Sequence, residues 1–394
     1  MKHTTLATAL FVALIALFAA PPAQAVKGRP FAISFVETGT GRQIYAFVKG
    51  DNNGLVSNHF NGTSWTWMDH GLPPGATSIS NPRAVTYIDD LGKRRIYVFA
   101  IDNNGQLVVR FHKGAGYNWQ WSQQGGPFIH AGSLSATTFP DDNGVRRIEV
   151  YGIRSNPSGP IPYRLVRHFW NGNSWNWADM PAVEDQPFRY SFTQVINYIG
   201  NDGRRRMDVY CKAGPTHDLL KYSWVAAQWK VDSQRGYGDV EDNASVATFT
   251  LTSGERRVHL FSKDGTLHWW WENWQNYWHT VGFPEPLAGA QQGYMSAIAY
   301  QDGSGTPHMN LFVENNNRLY LRRWVEDDWS PWEDLGLPSS LPSGSVGYPM
   351  AITYQDGRGG SQHVWVFATG SQGHMYANFW NGTSWQWYDR GSGP

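Results

Sequence analysis

The chain has 394 residues, 21 of them Trp and 42 Gly, and only 16% are charged. Disorder needs few aromatics and many charges, so a disordered or coiled-coil chain is excluded. Without the N-terminal segment discussed next, 31 Lys+Arg face 32 Asp+Glu, and so balanced a chain argues against nucleic acid as the main partner.

Residues 1–25 read as an export signal. Lys2 and His3 give a short positive start, Leu6 to Ala20 is apolar, Pro21 and Pro22 break the run, and Ala23-Gln24-Ala25 is a small-x-small cleavage site. The expected mature chain starts at Val26 and is secreted or periplasmic, since no other apolar run approaches the length of a membrane span. An uncleaved anchor is the alternative. The single Cys211 makes no intramolecular disulfide. Its strand, Met207 to Cys211, points to a buried, inert thiol rather than a nucleophile.

Self-comparison of the rest shows three signals recurring in one order, seven times each. The first is a short strand ending in an aromatic: Phe35, Tyr87, Phe139, Tyr198, Phe249, Tyr300 and Tyr354, spaced 52, 52, 59, 51, 51 and 54 residues apart. The second alternates aliphatic, variable, aliphatic, aromatic, as in Ile44-Tyr45-Ala46-Phe47 and Ile96-Tyr97-Val98-Phe99, a period-2 strand pattern. The third is a Trp-rich strand after a turn, clearest at Asn61-Gly62-Thr63-Ser64-Trp65-Thr66-Trp67 and close to it at Asn171 to Trp177 and Asn381 to Trp387. Asn-Gly suits a two-residue hairpin turn. The other copies centre on Trp119, Trp229, Trp278 and Trp329.

A further strand, such as Leu55 to Phe60 or Leu165 to Trp170, lies between the second and third signals. Each unit is thus four strands in about 53 residues. Such units repeated radially predict an all-β, seven-bladed β-propeller of four antiparallel strands per blade, a single domain over 26–394. Each blade buries both faces against its neighbours, which explains the doubly apolar second strand and assigns most Trp to packing.

The turns between strands one and two carry Arg94-Arg95, Arg146-Arg147, Arg204-Arg205-Arg206 and Arg256-Arg257, with His308 and His363 in the last two units. One reading is an anion-recognising arc for uronate, sulfate or phosphate groups. The other pairs these arginines with the Asp after each Trp strand: Asp69, Asp179, Asp232, Asp334 and Asp389. Glu149, Asp208 and His259 hold the variable second-strand position in consecutive units. Blades roughly 10 Å apart keep three such groups from sharing one metal ion, so separate polar residues in the seams are expected.

No His-Glu-x-x-His, Gly-x-Ser-x-Gly or phosphate loop is present, and the Asn-Gly-Thr-Ser-Trp turns have Phe60 or Trp380 where a sialidase box has Asp. A lyase would need a His or Tyr base beside Arg, and no set stands out. Sugar rings stack their C–H faces on Trp and Tyr and need polar partners for their hydroxyls, which repeated rims offer. Weak sites around a ring gain by multivalency.

One unit, Asn310 to Trp324 followed by Trp329-Ser330-Pro331-Trp332-Glu333-Asp334-Leu335-Gly336, resembles a repeat of the bacterial seven-bladed propeller lectins related to tectonins. The resemblance covers all seven units. It implies glycan binding, with fucose or O-methylated sugars typical, glycoconjugates or polysaccharides as partners, and no cofactor. The chain departs from it in unit four, where Trp229-Lys230-Val231-Asp232 lacks the second Trp, and in Trp-crowded unit five (Trp269, Trp270, Trp271). The expected sugar-binding residues are Asn61, Ser64, Trp67, Asn171, Ser174, Trp177, Asn381, Ser384 and Trp387, with no catalytic or metal-binding set. A polysaccharide lyase or hydrolase on the Arg rim, and a protein-interaction scaffold, are the alternatives.

Overall fold

A computed structural model describes residues 25–114, 117–126, 134–155, 163–181, 193–213, 218–225, 228–234, 244–263, 267–272, 278–280, 293–325, 328–356 and 360–394. Every regular element among them is a strand. The first sheet is Val26–Glu37, Gly41–Gly50, Leu55–Phe60 and Trp65–Gly71, and the second is Arg83–Ile88, Arg94–Ile101, Leu107–His112 and Gln120–Gly125. Ser135–Pro140, Arg146–Ser155, Tyr163–Trp170 and Trp175–Asp179 make the third; Thr193–Ile199, Arg205–Ala213, Asp218–Val225 and Gln228–Gln234 make the fourth. The fifth is Ser245–Thr250, Arg256–Lys263, Leu267–Glu272 and Trp278–Thr280. The sixth is Met295–Gln301, Pro307–Asn315 and Arg318–Val325, with its outer position split into Asp328–Trp329 and Glu333–Gly336. The seventh is Val346–Gln355, Gln362–Gly370, Met375–Trp380 and Trp385–Asp389.

All pairings are antiparallel between chain neighbours, so each sheet is an up-and-down meander. Seven hydrophobic clusters hold the sheets together, and each draws residues from two adjoining sheets. One joins Ile44, Ala46 and Val56 of the first sheet to Phe367, Met375 and Ala377 of the seventh. The sheets are therefore blades of a closed β-propeller. No sheet mixes strands from the two ends of the chain; the closure is a seam, pinned by Val26 N–H donating to the Gly373 carbonyl at 2.6 Å.

In six of the sheets the Trp at the start of the fourth-strand segment meets the aromatic of the preceding blade's second strand edge-on. Trp65 packs on Phe367, Trp119 on Phe47, Trp175 on Phe99, Trp229 on Tyr151, Trp329 on Phe261 and Trp385 on Phe312, with centroids 5.7–6.1 Å apart and interplanar angles of 64–86°. These are the edge-to-face geometries that the aromatic quadrupole favours. Near the ring axis, serine hydroxyls bridge neighbouring first strands: Ser135 Oγ accepts from Val195 N–H, Ser245 Oγ from Ala297 N–H and Ser296 Oγ from Ala351 N–H, at 2.8–3.0 Å. Cys211 is fully buried in the seam of blades three and four, and burial pushes its thiol far above the ordinary range.

Four buried or half-buried imidazoles also sit in the seams. Burial pushes His70 and His259 down to about 3 and His59 and His168 down to about 4. Folding therefore keeps them neutral, whereas the unfolded chain protonates them as pH falls through 6.5. Their stabilisation is full above that value and is lost between pH 6.5 and about 3–4. The apparent Tm should fall steadily from pH 7 to pH 4.5, less steeply in His59→Asn; a flat profile by circular dichroism melting would contradict this.

Candidate functional site

Chain direction sorts the polar groups by rim. The turns between strands one and two and between strands three and four share one rim. The turns between strands two and three, and the ends of the fourth strands, share the other. Arg94, Arg95 and their counterparts begin second strands on the first rim, whereas Asp69, Asp179, Asp334 and Asp389 end fourth-strand segments on the second. For these four acids the expected pairing with the rim arginines does not form, because the height of a blade separates them. Asp69, Asp334 and Asp389 instead accept from the N–H of Gly71, Gly336 and Gly391, and Asp179 pairs with Arg154 and Arg164.

Seven of the nine rim arginines are engaged locally in one of two ways. One pairs with the acid of its own first turn: Arg95 with Asp89, Arg147 with Asp141, Arg206 with Asp202 and Arg257 with Glu255, at 2.5–3.6 Å. His308 and His363 make the same clasp with Asp302 and Asp356. The other lies over the aromatic ending the previous blade's first strand: Arg94 over Phe35, Arg146 over Tyr87 and Arg205 over Phe139, at 4.5–5.4 Å. A cation–π contact of this kind ties blade to blade, so these guanidiniums do not form a free arc.

The structure places the nine expected sugar-binding residues on blades one, three and seven. Asn61 Oδ1 accepts from the Thr63 and Ser64 N–H groups, and Asn171 and Asn381 close their hairpins in the same way. Asn and Ser are thus turn builders with exposed flanks. The indole N–H groups of Trp67, Trp177 and Trp387 donate to the carbonyls of Arg390, Gln124 and Leu335 in the preceding blade, at 2.7–3.2 Å. Trp121 does the same to His70. The nine residues do not converge on one cavity.

A cavity of about 350 Å³ opens on the first rim in the seam between blades three and four. Glu149 and Arg167 reach it from the second and third strands of blade three, and Met207 and Trp224 from the same strands of blade four. Phe139 and Phe169 complete its apolar wall. Glu149 is 5% exposed, and Arg167 Nη1 stands 3.6 Å from its Oε1, too far for a direct hydrogen bond. Tyr151 O–H donates to the other carboxylate oxygen at 2.9 Å. Burial raises the Glu149 pKa, opposed by Arg167 and the Tyr151 hydrogen bond. The guanidinium sits 4.4 Å from the Phe169 ring centroid and 5.7 Å from that of Trp224, and its Nε–H is buried with no hydrogen-bond partner among the described residues.

Carboxylate, guanidinium and indole thus face one space the size of a small-ligand cleft. Blade four carries a parallel set: Asp208 accepts from Tyr198 O–H at 2.7 Å and stands 3.7 Å from Lys221 Nζ, both side chains being buried. Glu149, Asp208 and His259 are therefore separate seam residues, each with its own neighbours. Among the described residues, no group of three His, Cys, Asp or Glu side chains is placed to hold a metal ion.

Sequence reasoning singled out Glu149 but missed Arg167 and Trp224. A signal existed. The second-strand aromatic is Tyr only at Tyr151 and Tyr210, against Phe47, Phe99, Phe261, Phe312 and Phe367. Across the ladder these tyrosines face Arg167 and Lys221, where Phe47, Phe99, Phe312 and Phe367 face Ser57, Val109, Leu321 and Ala377.

No protein-family model matches the chain, and no curated protein matches it. Solved structures do. The BP39L lectin of Burkholderia pseudomallei is similar with a TM-score of 0.65 and 17% identity, over 93% of this chain and 99% of that one. A variant of the Aleuria aurantia lectin in complex with alpha-methyl-L-fucoside gives 0.55 and 15%, over 95% and 98%. Another structure of that lectin, described as a six-bladed β-propeller with a novel fucose recognition mode, gives 0.52 and 17%, over 80% and 96%. At such identities the likeness establishes the fold, an all-β propeller of four-stranded blades.

The indole bonds are testable directly. Trp67→Phe and Trp387→Phe should each lower unfolding free energy by about 1 kcal/mol in urea, the cost of one lost hydrogen bond, without touching glycan binding. Unchanged stability with lost binding would return these residues to the sugar site.

Proposed function

We propose that this chain is an exported, seven-bladed lectin that binds glycans through its inter-blade clefts, with the cleft between blades three and four as the principal site. The observation that carries this reading is the convergence of Glu149, Arg167 and Trp224 on one cavity, with the guanidinium 3.6 Å from the carboxylate, too far for a direct hydrogen bond. A sugar hydroxyl between the two groups accepts from the guanidinium and donates to the carboxylate, and the pyranose C–H face lies on the indole. Phe139, Phe169 and Met207 suit a methyl group, as on fucose or an O-methylated sugar. The fucose-recognising structural neighbours support that choice.

A lyase at this cleft is disfavoured on chemical grounds. Tyr151 is the nearby phenol, but it donates to Glu149. Burial, and then that carboxylate, hold its pKa well above the ordinary value, so it does not supply a base near neutral pH. A recessed cavity of this size also fits a small saccharide better than the flat rim of a protein scaffold. No helix among the described residues is long and apolar enough to cross a membrane. The signal reading of residues 1–25 supplies the route out of the cytoplasm, and the exported protein should begin at Val26 by N-terminal sequencing; a retained Met1 start would make the segment an anchor.

A glycan array with the mature protein should show selective binding to a fucosylated or O-methylated structure. Glu149→Gln, Arg167→Met and Trp224→Ala should each weaken it roughly tenfold or more, the scale of one charge-assisted hydrogen bond or one stacked ring. Binding untouched by all three would remove the site. Unsaturated product from an anionic polysaccharide would replace the lectin reading with a lyase.

A further inference from the structure

A larger cavity, about 640 Å³, lies on the opposite rim where blades six, seven and one meet. Its walls include Tyr294 and Tyr348 from just before and within the first strands of blades six and seven, Glu314 from the end of a second strand, and Lys27 and Asp51 from blade one.

Two aligned positions set this corner apart from the rest of the ring. Two residues after the second-strand aromatic the seven units read Lys49, Ile101, Ile153, Lys212, Lys263, Glu314 and Thr369, so an acid occurs once. Three residues before the recurring Ala or Val of the first strand they read Arg29, Asn81, Ser133, Phe192, Asn243, Tyr294 and Tyr348, so Tyr occurs only on the adjoining blades six and seven.

The backbone is strained to build this arrangement. Tyr348 has φ of 59°, whereas the other non-glycine residues with positive φ among those described are Asn53, Asn316 and Asn317. Asn tolerates the left-handed region and a bulky aromatic does not, and such strain gathers at ligand sites. The ladder register shifts between Gly347 and Met350 at the same point. The outcome is that the Tyr348 ring lies 3.9 Å from that of Tyr294, at 39°. Burial, and then the Tyr348 hydroxyl, push the Tyr294 phenol upward, so it stays a neutral hydroxyl. Glu314 is 8% exposed, and its Oε1 accepts from Asn317 N–H at 3.3 Å. Lys27 Nζ is held by the Asp51 carbonyl at 3.1 Å and lies 3.9 Å from its carboxylate, so the lysine is already neutralised.

We propose that this cavity is a second saccharide site, distinct from the seam clefts, in which one neutral pyranose packs its C–H face against the tilted Tyr294–Tyr348 pair and donates a hydroxyl hydrogen bond to Glu314. The proposal rests on the glycan-binding reading. The volume suits a small ligand, and two carboxylates, Glu314 and Asp51, against one lysine suit hydroxyl donors rather than an anion. The two rings lie tilted against each other, 3.9 Å apart at 39°, and do not enclose a cation as a cage.

The test uses the full mature chain and four probes: the methyl glycosides of fucose, mannose, galactose and glucose, followed by ligand-observed NMR and calorimetry. In an Arg167→Met background, at least one glycoside should still bind. Adding Tyr348→Gly, which accepts the left-handed backbone, or Glu314→Gln should weaken that residual binding at least about tenfold with an unchanged melting temperature. Residual binding indifferent to both substitutions, no residual binding at all, or displacement of the glycoside by choline would overturn the second site while leaving the seam site standing. A wild-type protein that binds no glycoside and no array glycan would overturn the lectin reading and this proposal together.

Discussion

The edge-to-face contact between an outer-strand Trp and the aromatic of the preceding blade is the interaction on which the ring depends. A four-stranded meander buries little by itself, and both its faces need covering. Each indole inserts into the seam at the height of Phe47, Phe99, Tyr151, Phe261, Phe312 or Phe367 and meets that ring by its edge. One such pair contributes only about 0.5–1.5 kcal/mol beyond its buried area, but it recurs around the ring and fixes the blade-to-blade angle each time. The closing seam is reinforced further. The Arg390 guanidinium lies over Trp65, Trp365 and Tyr388 at 4.4–5.1 Å, while its carbonyl accepts the Trp67 indole N–H. The place where no peptide bond joins neighbouring blades thus carries an added cation–π clasp.

This division of labour explains what was legible in the sequence. The architecture was readable because every unit repeats the same seam chemistry about every 53 residues, so first, second and Trp-rich strands announced themselves seven times. The same regularity shaped the expected sugar-binding set. Asn61, Asn171 and Asn381 and their tryptophans look like repeated ligand groups because they are repeated, and in the structure they also close turns and pin blades. Arg167 and Trp224 stayed hidden for another reason. Arg167 occurs once at its ladder position, whereas Trp224 shares its own with Trp170, Trp324 and Trp380 and so reads as packing. Their partnership with Glu149 depends on cross-strand register and on a neighbouring blade, neither of which a linear spacing reports. The rim arginines failed differently: residue type suggested their partners, but strand direction puts the fourth-strand acids on the far rim.

The proposed function places binding at a departure from the repeat. A seam of aliphatic and aromatic groups is closed and dry. Replacing Phe by Tyr at position 151 brings a hydroxyl into the seam, and Glu149 and Arg167 follow because that hydroxyl and each other's charge must be satisfied there. In blade four the corresponding Asp208 accepts from Tyr198 O–H, and Lys221 stands 3.7 Å from it. In blade three Glu149 accepts from Tyr151 O–H, and the guanidinium stands 3.6 Å away, much the same spacing, beside an open cavity. The proposed site therefore rests on that cavity and not on the spacing of the charged pair.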